Sequence, residues 1–210
     1  RERWDRMIQL LEEACLKADW FIMGQQREMS GKSAYTMVQD ALTYLIKNVF
    51  NKLTYLLGFH KDPQNQIRET LVQTDIQSDF SLDIDKNLAL KEVKNRIELM
   101  DQQKQKIVLS QLTETFEKKP YGWPLFETVI LVTVLLKKNL ITLQKSNIDL
   151  PLEEAAEPLC KQALWKQITI LKRLVPDIEV LNKSRDLSKT LFKQMGPNEE
   201  TALFGFIVDE

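Results

Sequence analysis

Lys119-Pro120-Tyr121-Gly122-Trp123-Pro124, running into the apolar segment Leu125 to Leu136, is the stretch from which the chain is best read. Two prolines, a glycine and two aromatics crowd into five positions, which makes a rigid, bulky turn. Pro124 stands where a first helical residue would be. Glu127 falls in the first turn of the segment that follows, and Lys137 and Lys138 in the last, as a helix dipole favours. Asn139 suits a left-handed cap. The β-branched residues of the segment argue for a strand, but its length and matched ends argue for a helix. That helix is apolar nearly all round, so it should be buried on most sides.

On the C-terminal side, Leu140-Ile141-Thr142-Leu143, Lys145-Ser146-Asn147 and Ile148-Asp149-Leu150 read as a short β-hairpin. Leu152 to Ala163 reads as a helix interrupted near Pro158. Trp165 to Val175 alternates Ile168 and Ile170 with Gln167 and Thr169, which favours a strand pairing with the hairpin over a helix. Pro176 opens a last long helix, to about Met195, with Ile178, Leu181, Leu187, Leu191 and Phe192 inward. Glu199 to Glu210 begins another.

On the N-terminal side, Ile107-Val108-Leu109 leads into a short helix, Ser110 to Glu117. Before it come long helices at Arg1 to Phe21, Ala34 to Leu57 and Lys86 to Gln103, and a shorter one opened by Pro63. In the first helix Trp4, Met7, Ile8, Leu11, Ala14, Cys15 and Ala18 share a face. Leu88, Leu90, Val93, Ile97 and Met100 supply the buried side of the third. Met23 to Ser33 reads as a polar linker, with Trp20 to Met23 as the end of the first helix. The expected fold is mainly α: a helical region over 1–100, then a winged-helix-like region over 101–210 with a small β-hairpin or sheet and a C-terminal helix. Short helix, tight turn, buried helix and hairpin is the winged-helix order.

Composition narrows the function. The chain of 210 residues is 43% apolar and 28% charged, with net charge -1. A soluble globular protein fits, and a chain that is basic throughout does not. It opens without Met inside a helical pattern, so a piece of a longer protein is expected. The most apolar run, Val129 to Leu136, is well short of the roughly 20 residues a membrane span needs. His60 is the single histidine and reads as an exposed loop residue, which counts against zinc sites and histidine triads. Cys15 and Cys160 lack CxxC spacing and read as free thiols. Asp75, Asp79, Asp83 and Asp85 lack the EF-hand glycine and glutamate, so a solvated linker is expected there. Gly31-Lys32-Ser33 imitates the end of a phosphate-binding loop, but the glycine that motif requires at position 26 is Gln26. No catalytic residue, cofactor ligand or metal ligand is assigned.

A winged helix raises the question of DNA. A base-reading helix presents polar side chains to base edges. Leu125 to Lys138 offers only Glu127, Thr128 and Thr133 ahead of its closing lysines. A structural or protein-docking winged helix is therefore favoured. A phosphate-tracking face is the alternative, built from Lys161, Lys166, Lys172, Arg173, Lys183, Arg185, Lys189 and Lys193 against Asp177, Glu179 and Asp186. An ordinary solvated helix face explains the same charges. Tyr121 and Trp123 read as clamps on neighbouring helices.

Phe116 through Pro124, the apolar helix, and Leu140-Ile141-Thr142-Leu143 resemble the large P-loop ATPase component of BREX phage-defence systems, the BrxC/PglY family. Looser likenesses are Ile22-Met23-Gly24, Asn87 with Ala89, and Arg185 to Phe192. The resemblance is concentrated around residues 107–143. It implies a large cytoplasmic bacterial parent with an ATPase core that uses ATP and Mg. Lys32 fails the spacing test, so that core is not expected within 1–210. The implied role is a non-catalytic accessory region whose partners are other BREX components or a second copy, with DNA as a further candidate.

Overall fold

A helix with no polar face has to be enclosed, and the computed structural model is built round one. It describes residues 2–29, 31–72, 86–173, 178–197 and 200–209. The central helix, α6, is Leu125–Lys137, and every residue from Glu127 to Leu136 is buried. Before it in chain order come α1 (Glu2–Lys17), β1 (Trp20–Ile22), β2 (Gln25–Arg27), α2 (Ala34–Val49), α3 (Pro63–Val72), α4 (Leu88–Gln102), β3 (Ile107–Val108) and α5 (Leu109–Glu117). After it come β4 (Ile141–Lys145), β5 (Ile148–Leu150), α7 (Ala156–Cys160), β6 (Ile168–Lys172), α8 (Ile178–Phe192) and α9 (Glu200–Asp209). The class is mainly α with small antiparallel sheets, as expected.

α6 is wrapped by α3, α4, α5 and β4. Ile67 from α3, Leu90, Val93 and Ile97 from α4, and Leu112 and Phe116 from α5 join Val129, Val132 and Leu135 in one core. The winged-helix core thus draws in two helices that begin before residue 101. α4 starts on a side-chain cap, with Asn87 accepting from the Leu90 N–H. α6 stops by a Schellman arrangement. Asn139 takes φ 60, and the N–H groups of Asn139 and Leu140 reach back to the carbonyls of Leu136 and Leu135. Pro124 is the residue before the helix rather than its first, with an extended ψ of 141.

The four-stranded sheet runs β3-β6-β4-β5, antiparallel throughout. Leu143 of β4 faces Leu150 on one side and Ile170 on the other. Ser146 and Asn147, both at positive φ, close the β4–β5 turn. β6, not β5, occupies the place beside β3. The return strand of the wing therefore comes only after the excursion over residues 151–167. That excursion is not the single interrupted helix expected at 152–163. It is a 3₁₀ turn at Leu152–Glu154, α7, and a second 3₁₀ turn at Gln162–Gln167. The Trp165 indole, 1% exposed, anchors it and donates to the Leu159 carbonyl at 2.9 Å.

Other expectations are corrected. Trp20–Ile22 is a strand, not a helix end, because Met23 and Gly24 at φ 54 and 78 make a hairpin turn to β2. The linker reading of 23–33 gives way there to a strand and a helix cap. The helix expected over 34–57 ends at Val49. Phe50 and Lys52 are held by the turn before α6, and one 3₁₀ turn follows at Leu53–Tyr55. Tertiary contacts override local propensity here. The apolar face of α1 is present, but no α1 residue is buried. Leu88, Leu187 and Leu191 are exposed rather than inward. The acidic segment with Asp75, Asp79, Asp83 and Asp85 lies outside the described residues, as do the side chains of Ile178 and Glu179. No helix among the described residues is long and apolar enough to cross a membrane.

Candidate functional site

The Pro-Tyr-Gly-Trp-Pro corner is made by folding its own backbone onto the end of α5. The N–H groups of Tyr121 and Gly122 both reach the Lys118 carbonyl, at 3.0 and 3.1 Å, and the Trp123 N–H reaches the Phe116 carbonyl at 2.9 Å. Lys119-Pro120 is cis. Gly122 takes φ 67, and a Cβ there would come within 2.6 Å of the Phe50 ring. Both facts require glycine. Trp123 is wholly buried and stacks on Phe116, ring centroids 4.8 Å apart and 6° from parallel. Tyr121 meets both rings edge-on.

The polar ends of the two aromatics reach outward from this cluster. The Trp123 indole Nε1 donates to the Lys52 carbonyl at 3.0 Å, while the Lys52 N–H donates to the Pro120 carbonyl at 3.1 Å. The Tyr121 hydroxyl donates to Glu92 Oε2 at 2.9 Å, and Lys52 Nζ donates to Glu92 Oε1 at 2.7 Å. Burial, and then the Glu92 carboxylate, hold the Tyr121 hydroxyl above its ordinary pKa. The Glu92 hydrogen bond holds the Lys52 ammonium above its own. The corner thus fastens α4, α5 and the segment after α2 at the start of α6.

α6 stands where a winged helix carries its recognition helix. None of its three polar side chains is offered to solvent. Glu127 is 4% exposed and accepts from the His60 backbone N–H at 2.7 Å and from Nδ1 at 2.8 Å. The Thr133 hydroxyl donates to the Val129 carbonyl. Thr128 is fully buried, and its Oγ1 has no hydrogen-bond partner. Lys137 Nζ donates to the Leu71 carbonyl at 2.7 Å and ties the helix end to α3.

The basic residues singled out from sequence fall on several elements. Lys161 follows α7 and pairs with Glu157, drawing that carboxyl below its ordinary range. Lys166 is exposed in the second 3₁₀ turn. Lys172 and Arg173 leave β6 half-buried and line one cavity with Lys94 and Glu98. Lys183 and Lys189 are exposed on α8 with Asp186 between them at three-residue spacing, and Lys193 follows its end. Arg185 donates to the Gly196 carbonyl at 3.0 Å. Gly31-Lys32-Ser33 is a helix entry: Ser33 caps α2 reciprocally with Thr36. Cys160 is buried against α3, and that burial raises its thiol pKa. Among the described residues no cluster of His, Cys, Asp or Glu is arranged as a metal site.

Lys52, Glu92 and the His60–Glu127 pair are missing from the sequence reading. Glu127 carried a signal, as the single carboxylate in an apolar helix. Lys52 and Glu92 carried none, since their pairing spans 40 positions. A family model described as the winged helix-turn-helix domain of the BREX ATP-binding protein BrxC matches residues 52–174. The chain belongs to this family. The match begins at Lys52, where the corner takes hold, and ends just after β6, so it takes in the whole sheet and its excursion. No solved structure matches the chain.

Proposed function

We propose that this BrxC winged-helix unit is a non-catalytic docking and assembly module of a phage-defence ATP-binding protein, engaging other BREX components or a second copy in the bacterial cytoplasm. The observation that carries the reading is the enclosure of α6 beneath α3. A helix buried on all sides has no edge to present to a groove. ATP and Mg belong, on this reading, to a core elsewhere in the parent protein. Titrating the chain with duplex DNA at two salt concentrations, beside purified BREX components, tests it. Component binding with no DNA binding is expected. DNA affinity that falls steeply with salt, and weakens when Lys166 and Lys172 are replaced by Gln, would favour the phosphate-backbone reading over 161–193 instead.

A further inference from the structure

α2 has one face turned inward and an apolar stripe left open. On the inward face Met37 is buried, and Tyr44, half-buried, lies beneath the Arg27 guanidinium of β2. Tyr35, Val38, Leu42, Leu45 and Val49 follow a different line, at alternating spacings of three and four. Those are the a and d positions of a coiled-coil seam. Tyr35 and Leu42 are nonetheless 75% and 52% exposed, Val38 and Leu45 are exposed too, and Val49 is half-buried.

The charges of α2 say what kind of surface covers the stripe. Asp40 and Lys47 are its charged residues, and both take the f position, opposite the seam. The e and g positions beside the seam hold Gln39, Ile46, Ala41 and Asn48. Charges at e and g select an unlike partner and reject a like one. With none there, the same stripe of a second copy meets no repulsion across a two-fold axis. Size decides how much more is needed. A standard interface takes about 800 Å² from each partner, of which about 500 Å² is apolar. At their exposures, the apolar side chains of the α2 stripe supply about 300 Å², which is too little. α1 touches α2 and keeps its own apolar face open, with Trp4, Met7, Ile8 and Leu11 between 42% and 64% exposed. That face adds about 250 Å², and the two helices together reach the requirement.

We propose that α1 and α2 form a self-association face, on which a second copy of this chain packs α2 against α2 along Tyr35 to Val49, with both α1 helices completing a four-helix contact. The inference rests on the docking reading and names one partner and its surface. That surface precedes residues 52–174, so the winged-helix unit stays free for other components.

Sedimentation velocity of the chain, over concentrations reaching about 100 μM, tests it. A dimer should form as concentration rises. Leu42→Glu places a carboxylate from each copy in the seam and should weaken association roughly a hundredfold or more. Ile8→Glu should weaken it as well, whereas Lys47→Glu, at the f position, should not. Urea unfolding of the dilute monomer should be unchanged by Leu42→Glu, which separates lost association from lost fold. A chain that stays monomeric throughout would overturn the second copy as occupant, and a dimer indifferent to Leu42→Glu would overturn the seam. A monomeric chain that binds a purified BREX component, and loses it on Leu42→Glu, would assign the stripe to that component and leave docking standing. Neither self-association nor component binding by the unaltered chain would remove docking itself.

Discussion

Trp123 and Lys52 are joined by an indole Nε1 hydrogen bond to a backbone carbonyl, 3.0 Å long and spanning 71 positions of sequence. Through it a side chain next to α6 sets the path of the main chain after α2. Trp123→Phe keeps most of the stacked area on Phe116 and strands the Lys52 carbonyl. The expected loss is about 1–3 kcal/mol. Urea unfolding of the two proteins measures it, and an unchanged midpoint would show that the bond contributes nothing.

Gly122→Ala should destabilise through two separable effects. Left-handed backbone costs an L-residue roughly 1–2 kcal/mol, and the new Cβ meets the Phe50 ring. Adding Phe50→Ala removes the clash but not the backbone strain, so a double-mutant cycle should recover part of the loss. Gly122→Val should cost folding before it costs any binding. A well-folded Gly122→Val that had lost only partner or DNA affinity would refute the structural role of the corner.

Alkaline pH should loosen the corner. Tyr121 and Lys52 both hold their protons more tightly when folded than when unfolded. Their contribution is complete below the unfolded values, near pH 10, and is lost as pH rises through the folded ones. Thermal unfolding between pH 8 and 11 should therefore show a decline that Tyr121→Phe makes shallower. Identical pH profiles for the two proteins would contradict this.

Thr128→Val should stabilise the protein. Thr128 is fully buried and its hydroxyl has no partner, so exchanging that hydroxyl for a methyl group of similar shape removes an uncompensated desolvation cost of about 1–3 kcal/mol. A higher melting temperature checks it, and a lower one would reveal a partner for Oγ1.

The parts of the fold legible in sequence were those with a local signature. The apolar α6 with its dipole-matched ends, the Ser146-Asn147 turn and the alternation of Ile168 and Ile170 each carry their own evidence within a few residues. The break after Val49 does not, because Phe50 and Lys52 are held by residues about seventy positions away. Trp20–Ile22 differs: its strand is set by the adjacent turn, where Met23 takes a positive φ that a non-glycine residue seldom adopts. Placing β6 beside β3 required knowing that Trp165 would anchor an excursion on Leu159. As for the site, Tyr121 and Trp123 were identified as clamps from their chemistry. What they clamp lay outside any window of sequence.

Because α3 lies over α6, any exposure of that helix is a population question. Lifting α3 away would return Ile67 and Leu71, now 0% and 8% exposed, to water. At about 1.5–3 kcal/mol for each side chain, these two alone cost roughly 3–6 kcal/mol, before the α6 face they cover is counted. An open form would then be populated by no more than about one molecule in a hundred. Any ligand that needed α6 bare would show an apparent affinity weakened by that same factor.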